Sequence, residues 1–240
     1  MIIFYAPDIE ATPVLPESDS QHCVRVLRKT AGDIIEVIDG RGGRYTCRLI
    51  DPHPKHAMVE IVARETVVKP WHGRITIAVA PTKHLDRMEW MTEKLTEIGV
   101  DRIVPLLCHR SERKELKTER LKKIAVSAMK QSLKAEMPQI EEMTPVLRFL
   151  AEFSASDGST QKFIAYCDDA FERRLLSRSL MADRDTVVLI GPEGDFTPEE
   201  VKAALAAGFI PVSLGDCRLR TETAAIASCQ TVHVINQLKN

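Results

Sequence analysis

Two glycine-containing loops carry the residues best suited to hold a ligand. We call GPEGDF, residues 191–196, the first glycine loop, and GDCRLR, residues 215–220, the second glycine loop. Glycine lets the backbone approach a ligand closely and offer it N–H and C=O groups. Neither loop fits G-x-G-x-x-G or G-x-x-x-x-G-K-[ST], so the usual nucleotide-phosphate loops are not indicated. Arg220 and Glu222 add a cation and a carboxylate, which could stabilise charge or pair with each other.

Each glycine loop is predicted to connect a strand to a helix. Thr186–Ile190 is a β-branched apolar run, typical of a strand buried on both faces. Thr197 and Glu200 predict a capping box at the start of the following helix. A second strand is predicted over residues 210–214, and the last helix begins at Thr221. Since parallel strands end at one edge of a sheet, both loops should border one crevice. Two ordinary connections without a ligand are the alternative.

The same alternation of strands and helices runs through residues 74–240 and predicts an α/β domain with a parallel sheet. Further strands are expected at 74–80, Arg102–Leu107 and 163–167, with a helix over 169–181. An apolar stripe at helical spacing ends at Gly99 and indicates a core-facing helix. Its members are Leu85, Met88, Met91, Leu95 and Ile98.

The first 70 residues indicate a smaller, β-rich domain. Two strands are expected at 33–39 and 44–50, and the turn between them is the segment GRGG at 40–43. This arrangement predicts a hairpin, and a third strand follows at 56–63. A short helix is expected within 21–28. The stretch 65–74 contains Pro70 and Gly73 and is the expected linker between the two domains.

Overall charge does not indicate a nucleic-acid partner, because 33 Lys and Arg balance 34 Asp and Glu. Two local stretches are basic. Residues 22–48 contain six Lys or Arg against three acids, and residues 110–134 contain nine against three. A solvated surface is the usual explanation for such charges, yet an excess of this size can also bind phosphates. Aromatic residues make up 5% of the chain, which argues against a stacking platform for long single strands.

The cysteines and histidines predict no metal site. Six cysteines show no C-x-x-C spacing, so reduced thiols are expected. Asp51, His53 and His56 lie close together but are interrupted by Pro52 and Pro54, which indicate a turn. No apolar run is long enough to cross a membrane, so we expect a cytoplasmic protein without a membrane partner.

Three segments resemble the ribosomal RNA small subunit methyltransferase E family of the SPOUT superfamily. The most specific is GPEG followed by LGxxxLRTETA, and PTKHLDRMEWMTEKLTEIGV at 81–100 and HCVRVLR at 22–28 extend the resemblance over nearly the whole chain. It implies a SPOUT domain with an α/β trefoil knot at 74–240 and a small PUA-like β-barrel that binds RNA at 1–70. Asp195, Cys217 and Lys134 depart from the family pattern, in which glycine, a basic residue and arginine are usual.

The resemblance implies an enzyme that transfers the methyl group of S-adenosyl-L-methionine (SAM) to N3 of a uridine in 16S ribosomal RNA. The partners implied are 16S rRNA in the small ribosomal subunit and a second copy of the chain. The expected SAM-binding residues are Ile190, Gly191, Pro192, Glu193, Gly194, Leu214, Gly215, Leu219, Arg220, Thr223 and Ala224. The expected RNA-binding residues are Arg25, Arg28, Lys83, Arg110, Ser111, Arg113, Gln131 and Lys134.

The chemistry of uridine N3 points to Arg220 and Glu222 as catalytic residues. The imide nitrogen is a poor nucleophile until its proton leaves, so a cation near the base oxygens would stabilise the anion that forms. Arg220 is the expected cation, and Glu222 could pair with it. A structural Arg220–Glu222 pair that only closes the loop is the alternative. No base is obvious, because neither glycine loop contains a histidine. Glu97 and Glu193 are weak candidates, and water could also accept the proton.

Two other functions remain open at this stage. A related SPOUT enzyme acting on tRNA ribose would bind SAM equally well, whereas a non-enzymatic RNA-binding protein would need only the basic stretches. A homodimer is predicted from the apolar side chains of the last helix, which exceed what one sheet face covers, and a helix buried in the core of one chain is the alternative. Those side chains are Ala224, Ala225, Ile226, Val232, Ile235 and Leu238.

Overall fold

The computed structural model describes residues 2–153, 158–167 and 172–238, which form two compact units. The first unit combines Met1–Pro70 with Val126–Met137, and the second combines Trp71–Ala125 with Pro138–Asn240. The chain therefore leaves the second unit within one helix and returns to it twelve residues later. Sequence patterns did not indicate this excursion, because the helix shows one continuous apolar stripe.

The first unit contains a four-stranded sheet in the order β1-β2-β3-β4. Its strands are β1 (Ile3–Tyr5), β2 (Ile34–Ile38), β3 (Gly43–Asp51) and β4 (Met58–Thr66). β1 is parallel to β2, and the other neighbours are antiparallel, which confirms the predicted hairpin. The expected short helix begins earlier, as α1 (Glu17–Gln21), and continues as a π-helical turn over His22–Val26.

The second unit is built on a larger sheet whose neighbouring strands are all parallel. The order is β10-β12-β9-β11-β5-β6-β7, with β8 beside β6. The strands are β5 (Ile75–Val79), β6 (Arg102–Leu107), β7 (Gln139–Ile140), β8 (Thr144–Pro145), β9 (Gln161–Ala165), β10 (Arg174–Leu175), β11 (Thr186–Ile190) and β12 (Ile210–Ser213). The predicted α/β class with a parallel sheet is confirmed.

The helices of the second unit include those predicted from the sequence, apart from the one expected over 169–181, and also one at Val146–Ala151 that was not predicted. They are α2 (Leu85–Ile98), α3 (Thr118–Gln131, shared with the first unit), α4 (Val146–Ala151), α5 (Leu176–Ser179), α6 (Pro198–Ala206) and α7 (Thr221–Leu238). The helix expected over 169–181 is wrong where it can be compared. Its described part holds the sheet-edge strand β10, which pairs with β12, and only the four-residue α5; residues 168–171 lie outside the described part.

β5 and β11 lie inside the sheet, each between two other strands. All five residues of each strand are buried, as expected for strands covered on both faces. On α2, Met88, Met91 and Leu95 are fully buried and confirm the predicted stripe. Gly99 has φ 119°, a left-handed conformation that glycine adopts without strain, and it ends the helix.

No helix in the described ranges is long and apolar enough to cross a membrane.

The predicted capping box at α6 is present. The Glu200 N–H donates to Thr197 Oγ1 at 3.2 Å, and the Thr197 N–H donates to Glu200 Oε2 at 2.8 Å. The other carboxylate oxygen of Glu200 accepts the His109 N–H at 2.7 Å. Glu200 therefore caps α6 and also holds the segment that follows β6, next to the first glycine loop.

Candidate functional site

The two glycine loops border one cavity of about 390 Å³ at the carboxyl ends of β9, β11 and β12. β9 lies between β11 and β12 in the sheet, so the loops that follow the two outer strands face each other across it. This is the crevice that the sequence predicted. Its walls combine apolar side chains with backbone of both loops, a composition typical of a small-molecule site.

Most of the residues expected to bind SAM line this cavity. Those that do are Ile190, Gly191, Pro192, Glu193, Leu214, Gly215, Leu219, Arg220 and Ala224. Gly194 and Thr223 do not. The Gly194 carbonyl accepts a hydrogen bond from Arg110, and Thr223 lies on α7 between residues that face the cavity but is itself turned away. Sequence reasoning missed Arg87, Tyr166, Cys167 and Arg173, which topology alone brings to the cavity from other elements.

Side chains from distant parts of the second unit hold the first glycine loop. Arg110 Nη1 donates to the Gly194 carbonyl at 2.8 Å and to the Phe196 carbonyl at 3.3 Å. Glu193 Oε1 accepts the Lys83 N–H at 3.1 Å, and Thr221 Oγ1 donates to the Gly191 carbonyl at 3.2 Å. The loop is thus fixed on both sides and is preorganised for a ligand.

Asp195 lies at a position of the first glycine loop where glycine is usual, and its carboxylate makes contacts that glycine cannot make. Its φ is 61°, in the left-handed region that aspartate tolerates better than most residues. Its Oδ1 accepts the Phe196 N–H at 2.8 Å and its Oδ2 accepts the Cys167 N–H at 2.9 Å. The carboxylate therefore ties the first glycine loop to the segment after β9, which a glycine could not do.

The charged groups of the cavity are arranged differently from the sequence prediction. Glu222 is buried and pairs with Arg87 Nε at 3.7 Å, so the expected Glu222–Arg220 pair is not formed. Arg220 is exposed and makes no ion pair in the described part of the chain. Glu97 binds Lys94 Nζ at 2.9 Å and is not part of the cavity wall. The described residues contain no group of three or more His, Cys, Asp or Glu side chains suited to a metal ion.

Burial raises the pKa of two thiols near the loops. Cys167 lines the cavity, and its pKa is raised by desolvation and then by the neighbouring Asp195. Cys108, after β6, has its pKa raised to about 12 by desolvation and by Glu200. Both thiols therefore stay protonated at neutral pH, which argues against a cysteine nucleophile here.

In the first unit, some basic residues form ion pairs with acids and others do not. Arg44 pairs with Glu65 at 3.3 Å and Arg48 with Glu60 at 2.8 Å. Arg25 and Arg28, the two residues expected to contact RNA, are exposed and form no ion pair within the described ranges. Their charge is therefore not offset by a neighbouring acid.

In the second unit, the residues expected to contact RNA have structural partners. Arg113 donates to the carbonyls of Thr82 at 3.2 Å and Lys83 at 2.6 Å. Ser111 is buried, and its Oγ accepts the Cys108 N–H at 3.0 Å, so it forms a turn rather than an open surface. Lys83 is exposed and pairs with Glu112 at 3.2 Å.

The basic stretch 110–134 is less positive in three dimensions than along the chain. Within the second unit, Arg120 pairs with Glu89 and Lys122 with Glu119 and Glu142. Within the first unit, Lys130 pairs with Asp19. Gln131, also in the first unit, is exposed, and Lys134 there is half-buried. Counting charges along the sequence therefore overestimates what this stretch offers to phosphates.

Comparison with known proteins defines the class first. Residues 69–233 match the RNA methyltransferase domain family and residues 15–62 match the RNA methyltransferase PUA domain. The chain is therefore an RNA methyltransferase with an N-terminal PUA domain.

Individual relatives narrow the class. Ribosomal RNA small subunit methyltransferase E of Aquifex aeolicus is 30% identical, with 95% of this chain and 96% of the relative covered. The crystal structure of a probable rRNA methyltransferase from Porphyromonas gingivalis is 46% identical, with a TM-score of 0.95 and full coverage of both chains. The small subunit methyltransferase E of Neisseria gonorrhoeae, crystallised with S-adenosyl methionine, is 27% identical, with a TM-score of 0.80 over 98% of each chain. The chain belongs to the ribosomal RNA small subunit methyltransferase E family.

Proposed function

We propose that this chain methylates N3 of a uridine in 16S ribosomal RNA, with SAM as methyl donor. The observation that carries the proposal is the cavity between the two glycine loops, in a chain of this family. A cavity of about 390 Å³ lies within the range of small-molecule sites. A non-enzymatic RNA-binding protein would not need such a cavity.

The residues present fit SAM. Leu214 and Leu219 offer apolar surface to an adenine ring, and the loops offer backbone groups to its polar parts. SAM supplies an electrophilic methyl group on a sulfonium sulfur. The ties from Arg110, Lys83 and Thr221 hold the first glycine loop, so little ordering cost remains when a ligand binds.

Arg220 is the residue we assign to stabilise the uridine anion. It lies on the cavity wall directly before α7, whose N-terminus adds a partial positive charge. Its side chain is not committed to Glu222, which pairs with Arg87. The guanidinium is therefore available to the base oxygens, on which negative charge develops as the N3 proton leaves.

RNA binding is proposed for both units. Arg25 and Arg28 in the first unit are exposed cations without an acidic partner in the described residues, and phosphates would occupy them. In the second unit, Lys83, Arg110 and Arg113 lie beside the first glycine loop and keep donors that their protein partners do not use. We also propose a cytoplasmic homodimer, for which the second glycine loop and α7 are the expected interface.

Two measurements test the function. Isothermal titration with SAM should show one binding event per chain. Nucleoside mass mapping of 16S rRNA from a strain lacking the gene should reveal a uridine that has lost its N3 methyl group. A missing ribose methyl in tRNA would instead assign a related activity, and absence of SAM binding would leave only an RNA-binding role.

A further inference from the structure

The cavity wall contains three acidic residues, which differ in the hydrogen bonds that their carboxylates accept. Glu193 accepts the Lys83 N–H at 3.1 Å, and Asp195 accepts the N–H groups of Phe196 at 2.8 Å and Cys167 at 2.9 Å. Glu222 accepts no hydrogen bond from any described residue. Among the described residues it forms an ion pair with Arg87, whose Nε lies 3.7 Å from Glu222 Oε1, a distance too long for a hydrogen bond.

Glu222 is nevertheless buried, because its side chain is only 7% exposed. An ionised carboxylate has about four lone-pair positions. Those of Glu222 are open to the cavity, because its oxygens are not fully enclosed by protein although the side chain as a whole is buried. Arg87 provides charge compensation from α2, but it does not fill those positions. A donor that enters the cavity with the substrate would fill them.

We propose that Glu222 accepts the N3 proton of the target uridine and that Arg87 is the positioning residue that holds Glu222 in place. This inference rests on the proposed function, since it requires a protonated imide as substrate. The N3–H bond breaks, and its proton moves to a Glu222 oxygen. The electron pair left on N3 forms the bond to the methyl carbon as the carbon–sulfur bond of SAM breaks, leaving a neutral thioether, and the proton then passes to water.

Several other titratable groups of the cavity are poorer acceptors. Arg87, Arg173, Arg218 and Arg220 are cations with no lone pair to offer. Cys167 stays protonated because burial raises its pKa. Glu193 and Asp195 already accept backbone N–H groups, and Glu97 lies outside the cavity wall.

The test is single-turnover methylation of unmodified small-subunit RNA by Glu222→Gln across a pH series, together with its SAM Kd by titration. Glutamine keeps the shape of the side chain but cannot take the proton, so the rate near pH 7 should fall about 100-fold or more. The loss should shrink as pH rises and uridine ionises unaided. The SAM Kd should stay within about threefold of the wild type.

Glu199→Gln is the matched control. Glu199 also lies in the first turn of a helix, so both substitutions remove the same favourable interaction with the helix dipole. It is exposed and outside the cavity, so its rate should match the wild type. For Arg87, glutamine should lower kcat with little change in the RNA KM, and lysine, which keeps the cation, should restore most of the rate.

Three outcomes would overturn the inference. A Glu222→Gln rate near that of wild type would exclude proton acceptance. An equal loss at every pH together with a weaker SAM Kd would make Glu222 a structural part of the cofactor site. If the wild-type enzyme produces no N3-methyluridine, the proposed function itself fails and the inference falls with it; product mapping of the wild type separates this case from the first two.

Discussion

At the scale of single residues, Arg220 is the cavity group whose role can be tested most directly. Arg220→Ala should lower the single-turnover rate with saturating SAM and RNA, because the developing charge on the uridine oxygens loses its cation. Removing one such stabilising group typically costs about 100- to 1000-fold. The deficit should diminish at high pH, where uridine ionises without help.

Arg220→Lys serves as the comparison, because it keeps the charge but not the planar fork of donors. An electrostatic role predicts that lysine recovers part of the rate. An alanine variant as fast as the wild type would end the proposal. A uniform loss at all pH values with weakened SAM binding would mean that Arg220 only shapes the second glycine loop.

Residue types and loop spacing were enough to predict the two glycine loops of the cavity wall, since backbone-binding loops leave glycine and proline signatures in the sequence. Charge pairing was not predictable. Arg87 and Glu222 are 135 positions apart, and only the packing of α2 against α7 brings them together. The Arg220–Glu222 pair was an open alternative because the two residues are close in sequence, and closeness in sequence says little about which charges meet in the fold.

At the scale of elements, Arg110 connects the segment after β6 to the first glycine loop. Arg110→Ala should raise the SAM Kd about tenfold, because the loop loses charge-assisted hydrogen bonds to the carbonyls of Gly194 and Phe196. Isothermal titration measures this without RNA. If Arg110 served only as an RNA contact, SAM affinity would not change.

Lys117→Ala is a suitable control for Arg110→Ala, since Lys117 is exposed on the segment before α3 and makes no ion pair in the described ranges. Its SAM Kd should equal that of the wild type. A Cβ at Gly194 would make only an ordinary van der Waals contact, 3.4 Å from the Arg110 side chain. Valine at Gly194 should weaken SAM binding because the methyl groups beyond that Cβ would crowd Arg110, which holds the loop. Valine at Gly215 would be strained by its φ of 122°.

Element boundaries followed the sequence where local chemistry defines them. The capping box at Thr197 and the glycine end of α2 are examples, because both depend on residues within one turn. Among the segments that escaped prediction, β7, β8 and β10 are two residues long and exist only through pairing with neighbouring strands. No sequence period can be read from two residues.

At the scale of the whole molecule, RNA affinity should depend on the cations that ion pairs leave uncompensated. Arg25→Ala combined with Arg28→Ala should weaken binding of small-subunit RNA. It should also reduce the slope of log affinity against log salt by about 1.5, because each lost phosphate contact contributes about 0.7 to 0.9. Filter binding over a salt series measures both effects.

The matched control is Arg48→Ala combined with Arg64→Ala. This variant removes the same number of charges from the same unit, but Arg48 and Arg64 are paired with Glu60 and Glu10. Its salt slope should change little. Equal losses for the two double variants would mean that net charge, rather than the position of Arg25 and Arg28, determines RNA affinity.

Association of two chains is the remaining property at this scale. Of the apolar residues of α7 that predicted it, Ala224, Ala225 and Val232 are buried within the chain and are explained by its own core. The apolar surface that α7 leaves for a partner is therefore smaller than the sequence suggests. On this helix Leu238 is 73% exposed and Val234 is 39% exposed. Exposed apolar side chains on one helix favour a self-complementary contact.

Light scattering at micromolar concentration should therefore give about twice the chain mass of 26.9 kDa. Val234→Asp combined with Leu238→Asp should reduce the mass to that of one chain, because two carboxylates would be buried against their copies across the interface. Val68→Asp, a single valine-to-aspartate change at an exposed site of the first unit, should leave the dimer intact. A monomeric wild type would exclude the dimer, whereas a dimer that survives the α7 substitutions would place the interface on another surface.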